Sequence, residues 1–258
     1  MRKKTLEAIR AHAVAAYPRE SCGLVVTNDR AETYMPCRNT AQGNEHFVLA
    51  AEDYALAEDN GRIAAIVHSH PDYPALPSEA DRVACEASGL PWYIVTVARD
   101  DTDAPRAGEV RGFLPEGYSA PLLGRQFAHG VLDCYTLVKD WYQRERGTAL
   151  PDFRREDDWW QNGQELYLTH YAEAGFRPLL EQETLAVGDV ILMQIRSPLT
   201  PNHAGIFLGR EGLHECPGLH PVADAMLHHL YGRLSERVVY GGYWREATRL
   251  ILRYGRTE

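Results

Sequence analysis

Two sets of residues in this sequence have types and spacings suited to catalysis. The first is His68-Ser69-His70-Pro71, with Ser78-x-x-Asp81 following and Glu20 lying 48 residues upstream of His68. Two histidines at i and i+2 on a strand end point to the same side, so they can share one ion. Asp81, in the first turn of a helix opened by Ser78, can supply a third ligand. Two imidazoles and a carboxylate leave the fourth position of a tetrahedral zinc for water, which is the arrangement of a catalytic site. The ion lowers the pKa of that water toward about 7. A general base is still required, and Glu20, just before the run CGLVV, is the candidate.

The second set is Cys134 and His203. Cys134, Leu137, Val138 and Trp141 follow the i, i+3, i+4, i+7 spacing of an amphipathic helix that starts at the cysteine, with Asp133 as its N-cap. The positive end of a helix dipole lowers a thiol pKa and favours the nucleophilic thiolate. His203 begins the run HAGIFLG, where His203, Gly205 and Phe207 share one strand face and the glycine leaves room for a helix end. A third polar group must orient the imidazole. Taken singly, Cys134 reads as a buried helix cysteine and His203 as a strand-end histidine facing water.

The elements that must position these groups follow from pattern. Residues 2–17 predict a helix with Leu6, Ile9, Ala13 and Ala16 or Tyr17 on one stripe, ended by Pro18. Strands are expected at 22–27, 31–36, 63–68 and 92–98, and helices at 51–59 and from Ser78 to Gly89. The stretch 99–121 is polar and rich in Pro and Gly, which places a domain boundary near 115–121. Beyond it, a second helix is expected at 161–174, and strands at 189–195, 203–208, 226–231 and 247–254. Asp157-Asp158-Trp159-Trp160 reads as a helix N-terminus with inward-packing aromatics. Trp92, Trp141 and Trp244 suit core or interface positions.

Composition removes several classes of function. At 258 residues, 45% hydrophobic and 24% charged, the chain is an ordinary globular one of one or two domains. Its formal charge of −9 divides into −6 over residues 1–120 (12 basic, 18 acidic) and −3 over 121–258 (15 basic, 18 acidic). Neither half has the basic balance of a nucleic-acid or membrane-surface binder. Five widely spaced cysteines without a CxxC argue against a disulfide framework or a cysteine zinc knuckle. Glu7, Arg10 and His12 interrupt the N-terminal segment, so no signal peptide is expected, and no run is long enough for a membrane span.

The first constellation, Glu20, His68-x-His70 and Ser78-x-x-Asp81, resembles the JAMM metalloprotease family over roughly residues 1–115. The resemblance implies an αβα domain with Zn2+ on His68, His70 and Asp81. It also implies Glu20 as the acid/base, Ser78 as a stabiliser of the tetrahedral intermediate, and isopeptide or C-terminal peptide bonds as substrates. The runs DCYTLVKDWY, GDVILMQI and NHAGIFLG resemble the papain-like NlpC-type cysteine peptidases over 121–258. That resemblance implies Cys134 as nucleophile, His203 as base and peptidoglycan stem peptides as substrates. For the third residue, His214 has the nearer spacing. The run MLHHLYGRLSERVVYGGYW, however, is similar to a phage subfamily whose histidine sits in an LHH element, which assigns His228 and makes 210–225 an inserted loop. The backbone N–H of Cys134 is the default oxyanion donor.

The two halves together, of α/β and α+β class, resemble tail assembly proteins of lambda-like phages and prophages. The combination implies a bifunctional peptidase whose partners are phage tail-tip proteins and peptidoglycan stem peptides, with no nucleic acid. It would be found in the host cytoplasm during assembly and at the virion tail tip. Two other readings stay open: a structural assembly factor with one or both sites inactive, and a host JAMM peptidase acting on a ubiquitin-like or sulfur-carrier protein.

Overall fold

The computed structural model describes residues 1–29, 31–44, 46–197 and 199–255, and the chain divides into two compact units, Met1–Ser119 and Ala120–Glu258. Among the described residues, no helix is long and apolar enough to cross a membrane.

The first unit is a three-layer αβα sandwich. Its strands are β1 (Cys22–Thr27), β2 (Glu32–Cys37), β3 (Arg62–Pro71), β4 (Trp92–Arg99) and β5 (Pro105–Phe113), in the order β2-β1-β3-β4-β5. Only the β3/β4 pair is parallel. Helix α1 (Lys3–Ala16) places Ile9 and Ala13 against Val25, Ala65, Val67, Val95 and Val97 on one face. Helices α2 (Ala51–Asn60) and α3 (Glu79–Ser88) bring Ala57 and Cys85 to Cys22, Leu24, Val26, Ile63 and Ile66 on the other. The continuous apolar run of β3 is the signature of a strand covered on both faces. A register shift between Val25 and Val26 reconciles Ile63 and Ile66 on one face with Ala65 and Val67 on the other.

Strand β5 lies within the polar, Pro- and Gly-rich stretch 99–121, where no strand was expected. It is an edge strand whose composition reads as loop because it is half-exposed and carries two glycines. Both glycines are needed: a Cβ at Gly108 would meet Thr96 Oγ1 at 2.6 Å, and one at Gly112 would meet the Tyr93 ring at 2.6 Å.

The second unit is an antiparallel sheet with one long helix on its face. Its strands are β6 (Phe176–Pro178), β7 (Val190–Met193), β8 (His203–Gly209), β9 (Ala225–His228), β10 (Glu236–Val239) and β11 (Thr248–Tyr254), in the order β10-β9-β8-β7-β11-β6. Helix α4 (Cys134–Arg146) buries Leu137, Val138, Trp141 and Tyr142 against Leu192, Ala204, Ile206, Leu208 and Leu227. The opposite face holds Ile191, Met193, Phe207, Met226 and Tyr240, with Ala247 from the short helix α6 (Tyr243–Ala247).

Several expectations change here. The helix expected at 161–174 is only α5 (Leu166–His170), because Gly163 in the left-handed region interrupts it. Residues 157–160 are turns with Trp159 buried, not a helix start. The strand expected at 226–231 ends at His228, and β10 and α6 were not expected at all. Helix α4 packs on the Ala204 face of β8, not over Gly205. The space above Gly205 belongs to Met226, whose sulfur a Cβ there would meet at 2.7 Å.

Candidate active sites

In the first unit the end of β3 carries His68 and His70 on the face that α3 covers. His68 Nε2 lies 3.0 Å from His70 Nε2 and 3.1 Å from Asp81 Oδ1, and His70 Nε2 lies 3.4 Å from Asp81 Oδ2. His70 Nδ1 donates to the Pro74 carbonyl at 3.0 Å, which leaves its Nε2 as the electron-pair donor toward the cluster. Among the described residues these three form one group whose ligand atoms lie within 4.8 Å of one another. Two imidazole nitrogens and a carboxylate oxygen, with His68 fully buried, make a donor set that suits zinc.

Asp81 is aimed by a capping box. The Asp81 N–H donates to Ser78 Oγ at 3.1 Å, while the Ser78 N–H and hydroxyl both reach Asp81 Oδ2 at 2.8 Å. The Ser78 hydroxyl is thus engaged with a ligand carboxylate in this structure. Burial alone would raise the Asp81 carboxyl, but the His68 and His70 contacts hold it far below the usual range. Burial pulls His70 down, and Asp81, with the Pro74 carbonyl and Glu20, reverses this, so its net shift is upward.

Glu20 is brought to this site by a pair of hydrogen bonds absent from the motif. The Ser21 N–H donates to Ser69 Oγ at 2.8 Å, and the Ser69 N–H donates to the Ser21 carbonyl at 3.0 Å. The residue between the two histidines therefore ties the start of β1 to the end of β3. Burial raises the Glu20 carboxyl and Asp81 adds to this, while His68 and His70 oppose it; the result is about 7. A carboxyl at that value can both take and give a proton near neutral pH. Phe47 stacks on His68 at 4.8 Å between ring centroids, and Trp92 meets it edge-on at 5.5 Å. Cys22 sits directly across from His68 in the β1/β3 register, but it is buried and its thiol is pushed up to about 12, chiefly by that burial.

In the second unit Cys134 is the first residue of α4. Asp133 caps the helix, accepting from the Thr136 N–H at 2.8 Å. The buried Asp133 carboxylate is paired with Arg155 Nε at 2.7 Å, and Arg155 also donates to the carbonyls of Gly130 and Phe153. Tyr167, at the start of α5, places its hydroxyl 3.1 Å from Cys134 Sγ. The backbone N–H of Ala204, the residue after His203, also favours the thiolate, so the start of β8 reaches the thiol.

The electrostatics run against the helix-dipole expectation. Burial and the adjacent Asp133 raise the Cys134 pKa, and the Tyr167, Ala204 and Arg155 contributions do not overcome them. Burial acts first, and the same N-cap that starts the helix adds a negative charge beside the thiol. His203 is driven well below its ordinary value by burial and then by His228 and His229.

His203 Nε2 lies 3.1 Å from His228 Nδ1, and the Trp244 ring covers His228 at 4.4 Å. His214 is elsewhere: its Nδ1 pairs with Glu145 Oε2 at 2.8 Å. Glu145 is in the last turn of α4, roughly 17 Å along the axis from Cys134 at ~1.5 Å per residue. The sequence reading missed Ser69, Phe47, Arg155 and Tyr167. Only the Ser between two motif histidines offered a signal, since a strand-end hydroxyl has few reasons to be buried.

Comparison with known proteins places the two geometries. The sequence model for prokaryotic homologs of the JAB domain matches residues 2–108, and that of the NlpC/P60 family matches residues 124–253. The chain is 45% identical over 259 residues to "Tail tip assembly protein K" of Escherichia phage N15, covering 98% of this chain and 96% of that one. It belongs to the tail tip assembly protein K family. The protein K of Escherichia phage lambda is 39% identical over 210 residues, covering 80% of this chain and 89% of that one. A third relative, the "Probable TtuB-protein conjugate cleaving protease" of Thermus thermophilus, is 33% identical over 124 residues, covering 46% of this chain and 77% of that one. This member of the K family is an α+β protein with a JAB-like domain followed by an NlpC/P60 domain, and both domain types point to peptidase chemistry.

Proposed function

We propose that the chain is a bifunctional peptidase of phage tail-tip assembly, a metallopeptidase in residues 1–115 and a thiol peptidase in 121–258. The observation that carries this reading is that each unit has its own reactive cluster. His68, His70 and Asp81 converge with Glu20 nearby in one unit; Cys134, at a helix start, adjoins the strand of the His203–His228 pair in the other.

In the first unit His68, His70 and Asp81 would hold Zn2+. The ion supplies Lewis-acid activation of water and polarisation of the scissile carbonyl. Glu20 takes the proton of the attacking water and returns it to the leaving amine, which its pKa of about 7 permits. Ser78 keeps the Asp81 carboxylate oriented, and its hydroxyl becomes a donor for the oxyanion only by turning away from Asp81 Oδ2. The likeness to a protease of TtuB–protein conjugates supports a peptide or isopeptide bond as the target.

In the second unit His203 accepts the Cys134 proton at Nδ1, since its Nε2 is committed to His228. The thiolate attacks a peptide carbonyl, His203 passes the proton to the leaving amine, and water then releases the acyl enzyme. Stem peptides of peptidoglycan are the substrate this half fits, and tail-tip proteins are the partners. Residence in the host cytoplasm during assembly and then at the virion tail tip follows from the same reading.

The test is mass spectrometry of muropeptides released from purified peptidoglycan by wild-type protein and by Cys134→Ala. Cleaved stem peptides that vanish in the variant support the reading. No release from folded protein favours a structural assembly role for this half. A chelator should stop only the first activity and a thiol alkylator only the second. Loss of both activities to either reagent refutes two independent sites.

A further inference from the structure

The pairing of β9 with β10 sets Glu236 directly opposite His228, so both side chains lie on the same face of the sheet. His228 uses Nδ1 toward His203, and its fully buried Nε2 faces Glu236 Oε1 at 3.7 Å. The other charged or titratable groups near His228 are His203, His229 and Arg233, none of them an acid. Glu236 is 44% exposed, so one oxygen can face the ring while the carboxylate stays hydrated.

This arrangement resolves a choice of tautomers. For His203 to accept a proton from Cys134 at Nδ1, its Nε2 must already carry hydrogen. That N–H can be donated to His228 only if His228 Nδ1 is a bare acceptor, which places the hydrogen of His228 on Nε2. In the opposite tautomer of His228 two N–H groups would collide. His203 would then have to hold its hydrogen on Nδ1, where it cannot act as a base. A carboxylate facing Nε2 stabilises the productive arrangement, and it further stabilises the positive charge that the pair acquires when the thiol proton moves from Sγ to His203.

Resting on the thiol-peptidase reading of this unit, we propose that Glu236 is a positioning residue, the fourth member of a Cys134–His203–His228–Glu236 chain that fixes the tautomer of both histidines. At 3.7 Å it lies beyond hydrogen-bond reach of a neutral His228 and acts through the field of its carboxyl group, so the effect of removing it is moderate.

The experiment uses the full chain and two readouts that need no peptidoglycan. The first is two-bond 1H–15N correlation spectroscopy of the histidine rings at pH 7.5. The second is the pH dependence of iodoacetamide alkylation at Cys134, read by mass spectrometry of its peptide. In wild-type protein His228 should carry its hydrogen on Nε2. In Glu236→Ala the Nδ1-protonated form should appear, and alkylation at neutral pH should slow by roughly two- to five-fold, the scale of a partly screened surface contact. In Glu236→Gln, whose amide oxygen can still accept, the tautomer should persist while the rate falls partway.

An Nδ1-protonated His228 in wild-type protein overturns the proposal, even if the variants do not fold. So does a folded Glu236→Ala with unchanged tautomers and an unchanged alkylation profile. If the tautomers and alkylation respond as expected but no muropeptides are released, the substrate reading fails and the positioning role stands.

Discussion

The two units each bring histidines together, and the outcomes are opposite. In the first, His68 and His70 meet a carboxylate at 3.1 and 3.4 Å, and the net pull on His70 is upward. In the second, His203 and His228 meet each other at 3.1 Å while His229 meets the Arg233 carbonyl; His228 and His229 are both driven down to about 4, first by burial. One cluster seeks positive charge and suits a cation. The other resists it and suits a neutral base that holds a proton only in passing. The partner at about 3 Å, more than the histidine itself, decides between a ligand set and a relay.

The sharpest way to break the contrast is to take the carboxylate from the first cluster. Asp81→Asn should reduce bound zinc, measured by elemental analysis after dialysis, from about one ion per chain to near none, with the thiol activity retained. Zinc retained at wild-type stoichiometry would mean that the metal centre lies elsewhere.

The next effect is on stability, and it has opposite signs in the two units of metal-stripped protein. The buried histidines of the second unit stay neutral while the unfolded chain protonates below about 6.5. Stability is therefore lost as pH falls from 6.5 toward about 4, by on the order of 2–3 kcal/mol for each of His228 and His229. Glu20 in the first unit is raised from 4.5 to about 7. It holds its proton when folded and releases it when unfolded, so its share of stability is present below about 4.5 and is lost as pH rises toward 7. Denaturant titrations at pH 7.0 and 5.0 should show the second unit weakening and the first strengthening on acidification. The four tryptophans of the second unit provide one signal and Trp92 of the first the other. Parallel weakening would contradict the assignment.

A second variant probes what supports Cys134. Arg155 and Asp133 form a pair with little exposure on either side chain. Arg155→Ala strands a buried carboxylate and should destabilise the second unit by about 3 kcal/mol, read from its unfolding midpoint, with little change in the first. The smallest effect belongs to Tyr167→Phe. Removing the hydroxyl 3.1 Å from Sγ withdraws a donor that favours the thiolate. Alkylation of Cys134 at neutral pH should slow by roughly two- to five-fold, the scale of one hydrogen bond. Faster alkylation would instead mean that Tyr167 chiefly shields the thiol.

What could be read from the sequence depended on how locally each feature is specified. His68, His70 and Asp81 sit on a strand end and a helix first turn fifteen residues or fewer apart, so type and spacing nearly define their geometry. The same holds for Cys134 after its cap. His214 and His228 could not be separated by spacing, because a long loop over 210–224 lies between the strands and only the sheet register decides which histidine faces His203. Strand β5 was hidden by glycines that exist to admit Tyr93 and the hydroxyl of Thr96. The upward shift of Cys134 was missed because burial of the thiol comes from tertiary packing, and the cap that reveals a helix start adds an opposing charge. Arg155 and Tyr167 reach the thiol from 21 and 33 residues away through irregular chain, where no periodicity points.

One consequence of the hydrogen-bond pair at Ser21 and Ser69 concerns the wildcard in the H-x-H signature. Written as a pattern, the middle position tolerates any residue. In this fold its side chain lies on the strand face opposite His68 and His70 and accepts from the N–H of Ser21, the residue next to the acid/base candidate Glu20. Alanine at position 69 would leave the Ser21 N–H buried without that acceptor, a loss of about 1–3 kcal/mol. It would also loosen Glu20 while every signature residue stayed in place. A chain could thus keep the whole motif and lose the catalyst, so a pattern match alone overcounts working enzymes.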